Sequence, residues 1–533
     1  MNRRDCLKSI GGGMALSSRT AVRSAEAHPW DKRPENKLPH IIIFNPDQFR
    51  ADALGHLGNP AAVTPNLDRM AATDGVSISH AFCQNPVCTP SRCSFMTGWY
   101  THVRGHRTMH HMLHADEPML LRTLKNNGYH VWWGGKNDVV PAQYPDPYKE
   151  YATVKYTPSP DKSIRDGLHY DQSWRGPEGT KHYYSFYAGC LDKKEEPVYY
   201  DGDLDHVTAA CEMIDNAPDG KPLCIYLPLI YPHPPYGVEE PYYSAIDRTK
   251  VPGHLPVPED WKGKPSILKR ICENQNLQTL TKKEWTELRA VYYGMCSRID
   301  DQFGMVLNAL KRNGMYDDTA VFFFSDHGDF TGDYGLVEKA QNTFEDVLTR
   351  VPFLIKPPSW VKTDPGIRDA LVELIDFPAT VEAFTGIEPE HWHFGRSLLP
   401  LIAGETDSHR DAVFCEGGQL IGENHTGERM TPHGRDPENM YYPRVSIQRV
   451  DGPEISKAIM CRTKTHKYVR RLYEKDELYD LAGDPGELQN RIDDPSCAGV
   501  LAELRDRLLT HMLETDDVVP LKADSRWPGE IMN

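Results

Sequence analysis

Short uninterrupted apolar runs alternate with helix-period stretches along most of this chain. The first run, Leu38 to Phe44, closes on Ile41-Ile42-Ile43-Phe44 and passes into Asn45-Pro46-Asp47-Gln48 with no helix before it. Leu120, Leu121 and Leu124 then recur at helical spacing up to Gly128; Tyr129-His130-Val131-Trp132-Trp133 and Gly134-Gly135-Lys136 follow. Leu204, Val207, Cys211 and Ile214 form a second helical face, leading into Leu223 to Ile230 and Tyr231-Pro232-His233-Pro234. Ile299, Phe303, Val306, Leu307 and Leu310 form the strongest amphipathic helix, stopped by Gly314. Behind it come Val321-Phe322-Phe323-Phe324 and Ser325-Asp326-His327-Gly328.

An apolar run without alternation predicts a strand buried on both faces. The chain is therefore read as α/β, with a mostly parallel central sheet flanked by helices. Ligands of such sheets bind beyond the carboxyl ends of the strands. Asp47, Gln48, Lys136, His233, Asp326 and His327 all fall at such ends, and their coincidence points to an active site. Trp132 and Trp133 read as core. Between about 141 and 200 the periodicity breaks into Tyr, Asp, Lys, Pro and Gly, a loop-rich insertion long enough to be functional and expected to build a substrate rim. Its Tyr183, Tyr184 and Tyr187 suit either packing or stacking on a ligand. After about Gly404 short strands follow at 412–416, 458–460, 467–471 and 477–480, with a terminal helix near 500–513. The expected organisation is a catalytic domain over 28–404 and a smaller C-terminal α+β domain with an antiparallel sheet over 405–533.

Composition narrows the function. The 533 residues carry 60 Lys+Arg against 76 Asp+Glu, a net charge of -16, and no Lys/Arg-rich block. That balance disfavours nucleic acid and anionic membrane surfaces as partners. No apolar run reaches the ~18 residues that predict an integral membrane segment. Residues 1–27 read as an export signal: Arg3-Arg4, a short apolar stretch from Ile10 to Leu16, and Ala25-Glu26-Ala27 as a cleavage site. The pattern resembles a twin-arginine signal, which implies a bacterial protein exported to the periplasm or beyond. Twelve cysteines are too few for a disulfide scaffold. Cys83, Cys88 and Cys93 lie near His102, His106, His110, His111 and His114, but gaps of four residues without a C-x2-C pair are poor zinc spacing. In an exported chain Cys83 or Cys93 is also free to join a disulfide.

The sharpest local signal is Cys88-Thr89-Pro90-Ser91-Arg92. Thr89 suits an N-cap, Pro90 the first helical position, and Gly98 a stop after Thr97. Cys88 then stands just before a helix N-terminus, where partial positive charge favours a developing anion. Arg92 lies one turn in, placed to fork onto an oxyanion.

These residues resemble the type I sulfatases of the alkaline phosphatase-like superfamily, whose hallmark is C-x-P-x-R. In that family the cysteine is oxidised by a formylglycine-generating maturation enzyme, and the hydrated aldehyde is the nucleophile. The resemblance continues in order along the chain. Asp47-Gln48 and Asp326-His327 match the two metal-binding pairs, with residue 88 completing the set around one Ca2+. Lys136 and Lys339 match the sulfate-binding lysines, and His233 a histidine at the substrate oxygen. Glu477-Leu478-Tyr479-Asp480-Leu481 with Asp484-Pro485 matches the usual C-terminal stretch. The family implies that the chain removes sulfate from an ester, here expected to be a sulfated carbohydrate. Cys88, Arg92 and His233 would serve catalysis, the lysines would neutralise sulfate charge, and an oxygen-rich donor set suits Ca2+.

There are two departures. Asp-Gln replaces the commoner Asp-Asp and Asp-His the commoner Asp-Asn, both resembling the branch that contains phosphonate monoester hydrolases. Asp-His also occurs in iduronate-type sulfatases. Where many sulfatases have G-K-x-H, this chain has Gly135-Lys136-Asn137-Asp138. Asp138 therefore stands in place of the histidine that holds the formylglycine; which group, if any, substitutes for it is open, with His106 and His110 as candidates by proximity in sequence.

Overall fold

A computed structural model describes residues 37–521 apart from 144, 145, 161, 166, 169, 170, 194, 195, 429 and 430. The export signal expected over 1–27 lies outside the described residues. The apolar runs become strands β1 (His40–Asn45), β3 (His130–Trp133), β6 (Leu223–Pro228) and β8 (Thr319–Phe324). With β2 (Val76–Phe82), β4 (Val154–Lys155), β9 (Arg350–Lys356) and β10 (Gly366–Glu373) they form an eight-stranded sheet ordered β10-β2-β9-β8-β1-β6-β3-β4. Every neighbouring pair is parallel except those of β9 with β2 and β8. The reason is local: the loop from Ser325 to Thr349 stays at the carboxyl end of β8, so the next strand starts there and runs back.

Alternation across this sheet divides the core. Ile42, Phe44, Val321 and Phe323 face the helix Lys282–Arg312, on which Ile299, Phe303, Val306 and Leu310 are buried. The Phe303 ring meets Phe44 and Phe323 edge-on, each at 5.2 Å. Thr281 and Glu284 cap that helix reciprocally, satisfying two end N–H groups. Ile41, Ile43, Phe322 and Phe324 point the other way, onto Phe95 of the helix Cys88–Thr97 and Phe377 of the helix Asp376–Thr385. Trp132 and Trp133 are buried, as expected.

The insertion contributes β5 (Tyr187–Leu191), paired only with β7 (Tyr236–Glu239). Strands β11 (Val413–Gly417), β12 (Ala458–Arg462), β13 (His466–Arg471) and β14 (Glu477–Asp480) make an antiparallel four-stranded sheet. The helix Ala498–Thr515 packs Leu504 and Leu508 against its Tyr468 and Leu478. This sheet shares a core with the larger one, since Val413, Cys415 and Met460 cluster with Phe82 and Leu371. No disulfide joins the described cysteines, and Cys83 and Cys93, which the sequence leaves open to pairing, are both free. Among the described residues no helix is long and apolar enough to cross a membrane.

Phe323 lies between Phe44, Phe49 and Phe303 directly under the site-bearing loops. Phe323→Ala is expected to cost about 3–5 kcal/mol of stability through lost transfer and cavity formation. A shift of the urea midpoint at unchanged slope measures it; a loss below ~1 kcal/mol would contradict this packing.

Candidate active site

The register of two parallel strands sets the centre. Phe44 of β1 lies beside Phe323 of β8. Asp47-Gln48 and Asp326-His327 therefore leave the sheet side by side, two and three residues beyond their strands. Arg92, fully buried, ties them together. Its Nε donates to Asp326 Oδ2 and its Nη2 to Asp47 Oδ2, each at 2.9 Å, and its Nη1 donates to Asn45 Oδ1 at 3.0 Å. Burial would weaken these charges alone; their opposition fixes them. Arg92 holds the Asp47 carboxyl far below the usual carboxylate range jointly with Lys136, against the opposing effect of burial.

The helix carrying Arg92 begins two residues earlier than the sequence suggests. Val87 is the N-cap, Cys88 is the first helical residue, and Thr89 does not cap; its Oγ1 has no partner among the described residues. Pro90 is still tolerated, because N–H groups of the first turn lack intrahelical acceptors in any case. The stop at Gly98 is as expected, with φ of 70°. Cys88 Sγ lies 3.2 Å from His327 Nε2, 3.4 Å from Lys339 Nζ, and 3.5 Å from both Lys136 Nζ and Asp47 Oδ1. Burial, with Asp47 alongside, pushes its thiol up to about 12.

Each remaining side chain has a local cause. Gly135 precedes Lys136 with φ of 96°, and a Cβ there would sit 2.1 Å from the Pro228 carbonyl oxygen, so only glycine lets this turn close on β6. Lys136 Nζ then reaches Asp47 Oδ2 at 2.5 Å. His327 places Nδ1 2.9 Å from the Gly328 carbonyl oxygen, which assigns the proton to Nδ1 and leaves Nε2 a lone pair. Burial lowers its pKa, so the ring is neutral and fit to be a ligand. Gln48, at φ of 66°, donates from Nε2 to Asp329 Oδ2 at 2.5 Å and accepts at Oε1 from Lys339 Nζ at 2.8 Å. Lys339 also lies 2.9 Å from His233 Nε2, while His233 Nδ1 is 2.6 Å from the Pro234 carbonyl oxygen.

Ligand atoms of Asp47, Cys88, Asp326 and His327 lie within 4.8 Å of one another, all buried. Hard carboxylate oxygens with one imidazole nitrogen fit a divalent cation, with Gln48 Oε1 at the same centre. Of the three clustered cysteines only Cys88 belongs to this group; among the described residues Cys83 and Cys93 fall in no cluster of metal-ligating side chains.

All nine sequence-predicted site residues come together; the two histidine substitutes do not. His106 is held by Glu117 at 2.9 Å and the His111 carbonyl at 2.8 Å, and His110 is exposed. Asp138 instead forms an ion pair with Lys136 at 2.9 Å. The insertion reaches the site indirectly: Tyr184 bonds the Pro437 carbonyl at 2.5 Å, and the Phe186 ring meets Tyr441, itself 6.4 Å from the His233 ring. Tyr183 packs under Arg175.

Sequence reasoning missed a supporting layer. Asp329, pushed up to about 7 by burial, accepts from Gln48 and from Tyr236 OH at 2.7 Å. Glu338 accepts from Arg444 Nε at 3.0 Å, and Arg444 donates on to Glu428 at 2.8 Å. Asp203 holds the loop before His233 by accepting from the N–H groups of Ile230 at 3.0 Å and Tyr231 at 2.8 Å. Asp329 had a signal, as the third polar residue of Asp326-His327-Gly328-Asp329; Arg444 had none.

A buried cysteine at a helix start beneath two lysines lies beside a pair of loops whose carboxylates and imidazole could hold a cation, at the strand ends of a mostly parallel sheet. The sulfatase family model matches residues 39–387, and the chain belongs to the sulfatase family, hydrolases of sulfuric esters. It is 28% identical over 404 residues to an arylsulfatase of Clostridium perfringens, covering 72% of this chain and 82% of that one. It is 25% identical over 527 residues to the multifunctional alkaline phosphatase superfamily protein PehA of Trinickia caryophylli, covering 90% and 96%. Among solved structures it resembles the phosphonate monoester hydrolase of Agrobacterium radiobacter, with TM-score 0.68 and 23% identity over 90% of this chain and 96% of that one.

Burial and the neighbouring Asp201 raise Asp203 from 3.8 to about 7. Between these values the folded chain keeps a proton that the unfolded chain has lost, so this group makes stability fall as pH rises from 4 to 7. Asp203→Asn should flatten that part of the profile. Melting temperatures of both proteins across pH 4.5–7.5 check it, and parallel profiles would rule it out.

Proposed function

We propose that the chain removes sulfate from a sulfated carbohydrate, using a formylglycine made from Cys88 and one Ca2+ ion held by Asp47, Gln48, Asp326, His327 and the oxygen of residue 88. The observation that carries this reading is the convergence of two lysines, a neutral histidine and a carboxylate within 3.5 Å of Cys88 Sγ. Formylglycine would supply the attacking oxygen and Ca2+ the Lewis acidity toward the sulfuryl oxygens. Arg92 holds both ligand carboxylates in place. Lys136 and Lys339 neutralise charge on the sulfuryl group. His233, anchored through Nδ1, would deliver a proton from Nε2 to the leaving alcohol when its ring is doubly protonated.

A carbohydrate substrate is supported by relatives named ulvan-active sulfatase from Formosa agariphila, 24% identical over 516 residues, and by the aromatic-bearing insertion. Export by the N-terminal signal and modification by a maturation enzyme belong to the same reading. So does the division into a catalytic unit over 28–404 and a C-terminal unit over 405–533. A second reading, hydrolysis of phosphonate monoesters or phosphodiesters, is favoured by Gln48 and by the likeness to the multifunctional protein.

The test is production with and without a formylglycine-generating enzyme, with peptide mass spectrometry across Cys88 and release rates from matched aryl sulfate and aryl phosphonate esters. Conversion should raise sulfate release at least a thousandfold, and chelation should abolish it reversibly. A large phosphonate preference would favour the second reading; activity from the unmodified thiol would defeat both. His233→Ala should slow alkyl sulfates by 10²–10⁴-fold. It should slow 4-nitrophenyl sulfate, whose leaving group needs no proton, far less. Equal losses would take the proton-donor role from His233.

A further inference from the structure

A narrow cavity that none of these roles uses is walled in part by residues next to Cys88 and Lys339 in the chain. Its walls include Val87, immediately before Cys88, and Gln341, two residues after Lys339, with Thr108, Gln419, Glu428 and Gln448 around them. It is wide enough for a water molecule or one hydroxyl group. Gln341 is only 8% exposed, yet neither atom of its amide has a hydrogen-bond partner among the described residues. Gln419, 3% exposed, spends Oε1 on Thr426 Oγ1 at 2.7 Å and leaves Nε2 without a partner. Buried amides are nearly always bonded, because water is no longer there to replace the lost partner. Two such amides lining one cavity mark a place where a ligand group belongs.

The other wall tells what kind of group. Gln448 is committed to Glu428, accepting from its N–H at 2.9 Å and donating to its carboxylate at 3.0 Å. That carboxylate is neutralised by Arg444, which also serves Glu338. Among the described lining residues no cation stands unpaired, so the cavity does not suit a second sulfate or a carboxylate. An amide offers one acceptor and two donor hydrogens, the complement of a hydroxyl that both gives and accepts.

We propose that this cavity is the subsite for a hydroxyl group of the leaving carbohydrate, with Gln341 and Gln419 as its specificity-determining residues. The proposal rests on the carbohydrate reading above and deepens it. A site built to bond a hydroxyl penalises any substrate lacking one, since the buried amides then stay unpaired.

The experiment uses the full, converted, Ca2+-loaded protein and Gln341→Leu, which keeps the volume and removes the amide. The probes are 4-nitrophenyl sulfate and the 2-, 3-, 4- and 6-monosulfates of glucose and galactose. Wild type should accept at least one sugar sulfate, and the sugar-to-aryl ratio of kcat/KM should fall at least tenfold in the variant. Its melting temperature should not drop, because no protein hydrogen bond is removed. An unchanged ratio would overturn the subsite and leave the carbohydrate reading standing. A lower melting temperature with equal losses on both substrates would mean that Gln341 binds only a structural water. A wild type that turns over aryl sulfate but no sugar sulfate would remove the carbohydrate reading, and the subsite with it.

Discussion

Arg92 is buried between Asp47 and Asp326, and the position of nearly every other group at the centre follows from that contact. A guanidinium without water needs its carboxylates, and the carboxylates need it; losing one partner strands a charge in the interior. Its planar guanidinium bridges the two carboxylates, one oxygen of each, so it fixes direction as well as distance. The helix Cys88–Thr97 is thereby held in one rotation against the ends of β1 and β8. Ser91 Oγ adds a second tie to the Asp326 carbonyl at 2.6 Å. With Arg92 so pinned, Cys88, one turn earlier, has only one place to go: under Lys136 and Lys339 and against His327.

The strands that carry the site were legible because each is a closed apolar run preceded or followed by helix-period residues. The side-by-side placement of the two acid-bearing loops then follows from parallel pairing. What stayed hidden did so for physical reasons. Strand β2 mixes Ser77, Ser79 and His80 into its apolar positions, and β9 carries Pro352, both of which blur a strand pattern. The true start of the nucleophile helix was missed because Ser/Thr capping preference is only a tendency. Here Asn85 Oδ1 accepts the Val87 N–H and organises the turn, leaving Thr89 inside the helix. Asp138 was legible as a departure, but its pairing with Lys136 depends on tertiary geometry. Arg444 and Gln341 owe their interest to residues about 80 to 110 positions away, and no local pattern reports such a distance.

The supporting layer explains why the C-terminal quarter is packed onto the catalytic sheet. Glu338 adopts a left-handed backbone at φ of 67° immediately before Lys339. That conformation is costly for glutamate and needs over-determination by its surroundings. Arg444 supplies one constraint through the Glu338 carboxylate, and Tyr236 OH supplies another by accepting the Glu338 N–H at 3.0 Å. Lys339 is thus aimed at Cys88 by residues from the middle and the end of the chain together. Gln48 is oriented by the same layer, because Asp329 takes its Nε2 and leaves Oε1 turned inward.

The charge balance at the centre shows why such a fold calls for a cation. Arg92, Lys136, Lys339 and Arg444 face Asp47, Asp138, Asp326, Glu338 and Glu428, one carboxylate more than there are basic groups. A sulfate monoester is itself an anion and gains nothing from that surplus. On the proposed reading, a divalent ion among the four converging ligands would reverse the sign of the centre without adding a side chain. It would also compete with Lys136 for Asp47, and the lysine charge would then be available to a sulfuryl oxygen. The buried acids are therefore not a burden that the basic groups merely offset. With the proposed ion bound, they are the means by which a chain of net charge -16 would build a cationic centre in its interior.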